Sequence, residues 1–238
     1  MLQKLYKKLF LEGNRGVFIL LDPDRIDTES VRDVLKRAEK NKAVKGIFVG
    51  TSLLMNPFFD NFIQKVKENT TLPVIIFPGS HYQVSKHADA ILFLSVVSGR
   101  NPNVLIGEQV RMAPLIQHFG IEPIPTAYIL IESGNVTSVE FISGTRPIPR
   151  DKIDIALAHA LASWMLGFKL IYLEAGSGAR LPVPEEMIRK IKEKVPLPLV
   201  VGGGLNTKEK IDRTFKAGAD FVVIGNAIEA NINFLEEV

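Results

Sequence analysis

The sequence predicts an α/β protein: a (β/α)8 TIM barrel, modified by an N-terminal helix and an irregular insertion after strand five. Three observations carry this. Eight short apolar runs alternate with helix-spaced patterns along the chain. The runs are nearly continuous in apolar character, as in parallel strands buried on both faces. Their ends gather glycine, acid and hydroxyl residues, as strand ends at a barrel mouth do. At 238 residues the length suits one barrel of about 250 residues, so residues 1–238 read as a single domain. An open doubly wound sheet is the alternative.

The first residues pattern as a short amphipathic helix with Leu2, Leu5, Leu9 and Phe10 on one side. That helix packs on the domain or lies on a membrane surface. Strand one, Gly16 to Leu21, ends at Asp22-Pro23-Asp24. Asp27 or Thr28 then caps a helix through Glu39. Strand two, Gly46 to Val49, opens into Gly50-Thr51-Ser52, and a helix from Phe58 to Lys67 follows. Strand three is Pro73 to Phe77. Strand four, Ala90 to Leu94, comes after a connection too short for a full helix. A helix over Leu105 to Phe119 precedes strand five, Ile124 to Ile131. There the rhythm breaks. Glu132-Ser133-Gly134-Asn135 reads as a hairpin turn and Val136 to Ile142 as a return strand. Ser143 to Pro149 is turn-rich, looks mobile and reads as a lid or an insertion rather than a domain linker. A helix opened by Asp151 or Asp154 runs to Leu166. Strand six, Lys169 to Leu173, ends in Glu174. The helix Pro184 to Lys194, strand seven over Leu197 to Val201, the helix Thr207 to Lys216 and strand eight over Asp220 to Ile224 complete the pattern. Asn226 starts the last helix.

Composition excludes several classes of protein. Hydrophobic residues make up 46% and charged residues 23%, and the net charge is only +3. Lysines interleave with acids, which argues against a nucleic-acid stripe. There is no cysteine, so disulfides, thiolate catalysis and Cys-ligated zinc are excluded. That absence, with no apolar run of membrane-spanning length and no secretion-signal pattern at the start, fits a cytoplasmic protein.

The chemistry concentrates at Tyr172-Leu173-Glu174-Ala175-Gly176-Ser177-Gly178. A strand that ends in an acid and opens into glycines brings backbone N–H groups close to an anion. The acid beside it can move a proton. Gly202-Gly203-Gly204 and Gly225-Asn226 end strands seven and eight, where barrels often hold phosphate. Asp22, with Ser52 from the next strand end, supplies oxygen ligands suited to Mg²⁺. Asp24 reads equally as a ligand or a helix cap. The four histidines show no metal spacing, and Trp164 reads as core or interface.

With these strand ends in place, the chain resembles the geranylgeranylglyceryl phosphate synthase family. The matching pieces are Leu21-Asp22-Pro23-Asp24, Gly50-Thr51-Ser52, Ser98-Gly99-Arg100-Asn101-Pro102, Tyr172 to Gly178, Gly202-Gly203-Gly204 and Gly225-Asn226-Ala227. The resemblance implies an Mg²⁺-dependent prenyltransferase. It joins a prenyl diphosphate, geranylgeranyl diphosphate by the family's habit, to the C3 hydroxyl of sn-glycerol-1-phosphate and releases diphosphate. It implies that Tyr172, Leu173, Glu174, Ala175, Gly176, Ser177 and Gly178, with Gly203, Gly204, Gly225 and Asn226, hold the glycerol phosphate. It implies Glu174 as the base, Asp22 and Ser52 as Mg²⁺ ligands, a homo-oligomer and transient membrane contact through the lipid product. Some members carry lysine where this chain has Leu20; Arg25, just after the acids, is the cation this chain offers. Tyr128 and the apolar residues of Leu105 to Phe119 read equally as a groove for the prenyl tail and as ordinary core. The rival reading is a phosphate-binding barrel isomerase or synthase acting on a sugar phosphate.

Overall fold

The computed structural model describes residues 4–11 and 13–238. Eight parallel strands close into a barrel in sequence order. They are β1 (Gly16–Leu21), β2 (Val44–Val49), β3 (Val74–Ile76), β4 (Ala90–Val96), β5 (Glu122–Leu130), β6 (Leu170–Glu174), β7 (Leu199–Gly202) and β8 (Phe221–Ile224). Closure comes from β8 pairing with β1, Gly16 opposite Phe221 and Ile19 opposite Ile224. This excludes the open sheet. All five residues of β6 are buried, the outcome that a continuous apolar run predicts for a strand covered on both faces.

Alternate side chains divide the core. Phe18, Phe48, Ile75, Leu92, Tyr128, Tyr172 and Phe221 point into the barrel. Their neighbours Val17, Ile19, Ile47 and Val222 face the helices, the period-two pattern of a strand. Aromatic rings stack up the interior toward the mouth. Phe18 lies 4.4 Å from Phe48, Phe77 lies 5.0 Å from Tyr172, and Tyr172 lies 5.5 Å from Tyr128, centroid to centroid.

The N-terminal segment, α1 (Lys4–Tyr6) with a wider turn over Lys7–Leu11, closes the opposite end. Tyr6, Leu9 and Phe10 are buried, and Phe10 meets Phe221 edge-on at 5.1 Å. The Glu122 carboxylate accepts the Leu5 and Tyr6 N–H groups at 2.9 and 2.7 Å, satisfying donors that a helix start leaves open. The segment is thus a plug, packed on the barrel as the first of its two readings had it. Leu2, expected on its inner side, lies outside the described residues.

The outer helices are α2 (Thr28–Lys40), α3 (Phe59–Glu68), α4 (Glu108–Phe119, entered through a turn at Asn103–Gly107), α6 (Ile153–Met165), α7 (Glu185–Lys194), α8 (Lys208–Ala217) and α9 (Asn226–Ala230), with α5 (Ser138–Ser143) in the insertion. Asp27 caps α2 by accepting the Ser30 N–H at 2.9 Å; the Thr28 side chain lies outside the described residues. Thr207 caps α8. No helix stands between β3 and β4, as the short connection required.

Two expectations about the insertion are corrected. The return strand over Val136 to Ile142 is instead the helix α5. Val136, Val139 and Ile142 recur every three residues, a helical spacing that outweighs the β-preference of valine, threonine and phenylalanine there. Nor does Ser143 to Pro149 hang loose as a lid. Ile148 donates to the Leu130 carbonyl, Glu132 donates to the Ile148 carbonyl, and Thr145 is buried. The Ser98–Pro102 turn grips the same stretch. Asn101 Nδ2 donates to the Ser143 carbonyl at 2.6 Å, and a Cβ on Gly99 would stand 2.6 Å from Thr145 Oγ1.

Candidate functional site

The strands' carboxyl ends enclose a cavity of about 690 Å³, within the range of small-molecule sites. One wall is polar and built by β6, β7, β8 and β1. The other is apolar and built by β3, β4, β5, α4 and α5.

The polar wall centres on Glu174, which is 6% exposed. Its Oε1 accepts the Gly176 N–H at 2.6 Å. Burial pushes the carboxyl pKa up to about 7, against the pull of that N–H, because the charged form loses its water. Gly202 and Gly203 leave room for it. A Cβ on Gly202 would lie 2.8 Å from Glu174 Oε2 and 2.5 Å from the Tyr172 hydroxyl. A Cβ on Gly203 would lie 2.5 Å from Glu174 Oε1, and Gly203 also takes φ +85°, a conformation that other residues rarely adopt. The Tyr172 hydroxyl sits beside the carboxylate, close enough to favour its charged form, but without the alignment of a full hydrogen bond. Burial, and behind it the Glu174 charge, holds the Tyr172 and Tyr128 phenols well above their ordinary pKa. Both therefore stay protonated. A buried hydroxyl that is only weakly bonded costs free energy until a better acceptor reaches it, and Tyr172 lines the cavity together with the acid.

Of the residues expected to hold phosphate, Tyr172, Glu174, Ser177, Gly178, Gly203, Gly204, Gly225 and Asn226 line this cavity. Leu173 and Ala175 instead pack outward against the helix layer, as the alternation of a strand dictates. Gly176 is buried and spends its N–H on Glu174. Asn226 ties the β8 turn to the β6 turn, its Oδ1 accepting from Ser177 Oγ at 2.9 Å and from the Gly178 N–H at 3.3 Å. Leu20 lies under Gly225, 3.5 Å from where its Cβ would stand. Arg25 is the only Lys or Arg among the described residues lining the cavity. It stands between Asp22 at 3.5 Å and Glu229 at 3.4 Å.

Asp22 and Ser52 line the mouth on adjoining strands. The turn carrying Ser52 is pinned by the buried Gln83, whose amide bonds both the N–H and the carbonyl of Thr51. Among the described residues no three His, Cys, Asp or Glu side chains converge as a ready-made metal cage. One carboxylate and one hydroxyl still suit Mg²⁺, which takes oxygen ligands and keeps waters and substrate phosphates for the rest of its shell. Asp22 Oδ1 accepts the Asp24 N–H at 2.9 Å, and Oδ2 faces Arg25 at 3.5 Å. Asp24 itself is committed elsewhere: its two oxygens accept the Met55 and Asn56 N–H groups at 2.9 and 2.6 Å. It braces the β2–α3 turn, and among the described residues it neither caps a helix nor pairs with a cation.

The apolar wall holds Leu94, Val96, Val104, Met112 and Tyr128, with Val139 and Ile142 from α5. Tyr128 and, from α4, Met112 line the cavity, whereas Ile116 and Phe119 belong to the core under the helix layer. The α5 residues were not legible as a wall, although their threefold spacing was there to read. Glu108 also lines the cavity and accepts from His81, N–H to Oε2 at 2.5 Å, with Nδ1 at 2.9 Å from the same oxygen. This occupies His81. Trp164 stands partly exposed near the end of α6, far from the mouth.

The fold and site define a parallel α/β barrel that carries a buried acid and a glycine cradle on one wall and an apolar groove on the other. The chain belongs to the PcrB family, whose model it matches over residues 12–238. It is 49% identical over 224 residues to a geranylgeranylglyceryl phosphate synthase of Flavobacterium johnsoniae, covering 94% of this chain and 92% of the relative. It is 46% identical over 220 residues to the Pyrococcus horikoshii protein of the same name, covering 92% and 85%. It also superposes on the Thermoplasma acidophilum (S)-3-O-geranylgeranylglyceryl phosphate synthase solved in complex with sn-glycerol-1-phosphate. That match has a TM-score of 0.88 at 35% identity and covers 94% of this chain and 90% of that one. The family expected from the strand-end motifs is the family found.

Proposed function

We propose that this chain is a prenyltransferase. It joins a prenyl diphosphate, geranylgeranyl diphosphate by the names of its relatives, to the C3 hydroxyl of sn-glycerol-1-phosphate. The observation that carries the reading is the position of Glu174: a buried acid with a pKa near 7, on the boundary between a cradle for phosphate and a groove for an apolar tail.

The glycerol phosphate takes the cradle of Ser177, Gly178, Gly203, Gly204, Gly225 and Asn226. Backbone N–H groups at turns and at a helix start suit an anion. Tyr172 donates its hydroxyl to the glycerol. The prenyl tail lies along Val96, Met112, Tyr128, Val139 and Ile142. Asp22 and Ser52 would hold Mg²⁺, which when bound neutralises charge building on the departing diphosphate. Ionised Glu174 takes the proton of the C3 hydroxyl as that oxygen bonds to C1 of the prenyl chain and the C1–diphosphate bond breaks. Holding both partners in one orientation supplies much of the rate, and the closed apolar wall keeps water from competing.

Purified protein with Mg²⁺, sn-glycerol-1-phosphate and labelled geranylgeranyl diphosphate should give a labelled, phosphatase-sensitive ether lipid. No ether product with any prenyl length, with sugar phosphates tested beside glycerol phosphate, sinks the reading. EDTA should abolish turnover and Mg²⁺ restore it.

A further inference from the structure

Strands β2 and β3 part just below the cavity mouth. The Phe77 N–H still donates to the Val49 carbonyl at 2.8 Å. Pro78 follows and has no N–H to give, and the chain then bends at Gly79 and Ser80. The Thr51 peptide on the β2 side is therefore left without a strand partner, and a peptide shielded from water needs one.

Gln83 fills that gap. Its side chain is fully buried. Its Oε1 accepts the Thr51 N–H at 3.1 Å, and its Nε2 donates to the Thr51 carbonyl at 2.8 Å. One side-chain amide thus stands where a β3 peptide would. Its orientation is fixed by its partners, because an N–H only donates and a carbonyl only accepts. Gln83 is itself anchored, its own N–H donating to the Ser80 carbonyl at 3.1 Å. Gly79 closes on the same peptide. A Cβ there would overlap the Thr51 carbonyl oxygen and stand 3.0 Å from the Ser52 Cα.

The next residue is Ser52, at the cavity wall one strand from Asp22. Among the described residues its hydroxyl has no hydrogen-bond partner, so the backbone alone sets its place. The far end of the same turn is tied to the Asp22 side. Asp24 accepts the Met55 and Asn56 N–H groups, and Asn56 Nδ2 donates to the carbonyl of Pro23 at 3.0 Å. Pro23 follows Asp22 directly. The stretch that carries Ser52 is thus clamped at both ends. Mg²⁺ demands near-octahedral geometry at about 2.0–2.1 Å, and a neutral hydroxyl meets that demand only if its support is rigid.

We infer that Gln83 is a positioning residue for the metal site. It does not line the cavity; it holds the Thr51 peptide so that Ser52 keeps its place beside Asp22. The inference rests on the proposed Mg²⁺ site, and the test separates the two.

The probe is Mn²⁺, followed by the electron paramagnetic resonance signal that the free ion loses on binding. Binding of sn-glycerol-1-phosphate is followed by calorimetry. Gln83→Met keeps the length of the side chain but bonds neither group of Thr51. It should bind Mn²⁺ about 10–100-fold more weakly. The Mg²⁺ concentration for half-maximal turnover should rise by a similar factor, with kcat recovered at saturating Mg²⁺. Affinity for glycerol phosphate, on the far wall, should stay within about twofold. In a Ser52→Ala background Gln83→Met should weaken Mn²⁺ binding by less than about twofold more, because the group it positions is gone. If Gln83→Met does not fold, Gln83→Asn decides by the same measures: it keeps an amide in the site but is one methylene too short to span Thr51. The inference is overturned if the folded variant binds Mn²⁺ like the wild type, or loses glycerol phosphate in equal measure. It is also overturned if the full loss persists in the Ser52→Ala background, since Gln83 then supports the fold and not the ligand. A wild type that neither takes up Mn²⁺ nor needs Mg²⁺ overturns the metal site itself. Wild-type Mn²⁺ uptake that Gln83→Met leaves unchanged overturns only the positioning.

Discussion

Glu174→Gln tests the site through stability as well as rate. The carboxyl pKa is about 7 in the folded chain against an ordinary 4.5, and burial is the cause. Below about pH 4.5 both folded and unfolded chains hold the proton, and the group costs nothing. Between the two values the unfolded chain ionises first, so folding is penalised more with each rise in pH. Above about pH 7 both states are ionised and the full penalty stands, about 3 kcal/mol. Glutamine keeps the shape and the oxygen that accepts from Gly176, and it does not titrate. Urea unfolding of both proteins across this range should therefore give curves that meet near about pH 4.5 and separate as pH rises. At about pH 8.5 the variant should be the more stable by about 3 kcal/mol, or about 6–10 °C in Tm for a chain of this size. The same variant should lose about 10²–10⁴ in kcat at every pH. Wild-type kcat/KM should rise through about pH 7 and level off, because the base must be ionised to act. Parallel stability curves would refute the reasoning: the carboxyl would then sit in water-like surroundings, and the case for a poised base would go with it.

Tyr172→Phe removes a buried hydroxyl whose one protein neighbour of note is the Glu174 carboxylate, with which it makes no fully aligned hydrogen bond. Stability should hold or rise by up to about 1 kcal/mol, while KM for glycerol phosphate rises about tenfold; a destabilised variant with normal KM would show the hydroxyl bonded within the fold. Gly203→Ala sets a Cβ 2.5 Å from Glu174 Oε1 at φ +85°. It should cost about 1–2 kcal/mol in urea unfolding and weaken glycerol phosphate binding by calorimetry. Ile142→Glu puts a charge in the apolar wall and should raise KM for the prenyl diphosphate while leaving glycerol phosphate affinity within about twofold; equal loss of both would mean that α5 supports the whole site.

How much of this was legible in the sequence depended on how far apart the interacting groups lie. The barrel strands were legible because burial on both faces leaves a continuous apolar run, and β6 shows it in five consecutive buried residues. The cradle was legible because glycines at three successive strand ends are a local signal. Asp24 was not. Its partners are N–H groups of Met55 and Asn56, about thirty residues on, and its own neighbours point equally to a cap or a ligand. Gln83 carried no signal either, since a buried amide that pins Thr51 looks like any loop glutamine. The insertion misled because Val136 to Ile142 satisfies strand preference residue by residue, whereas its helical spacing emerges only across the whole segment.

The division of the mouth follows from that chain order. Strands β6, β7 and β8 are consecutive, and each ends in glycine or in an acid followed by glycines, so the polar wall needs no long-range design beyond barrel closure. The apolar wall is different. Its β4 and β5 residues would open to solvent without a cover, because the β3–β4 connection supplies no helix and α4 shields only one edge. The insertion after β5 provides that cover. Asn101 and Gly99 fix its end, Ile148 locks it to β5, and α5 turns Val139 and Ile142 inward while leaving Phe141 outside. A barrel mouth with one glycine-rich polar wall thereby gains an apolar wall opposite it. Weakening the Asn101 bond, as in Asn101→Ala, should loosen that apolar wall first, raising KM for the prenyl diphosphate well before it affects the cradle on the far wall.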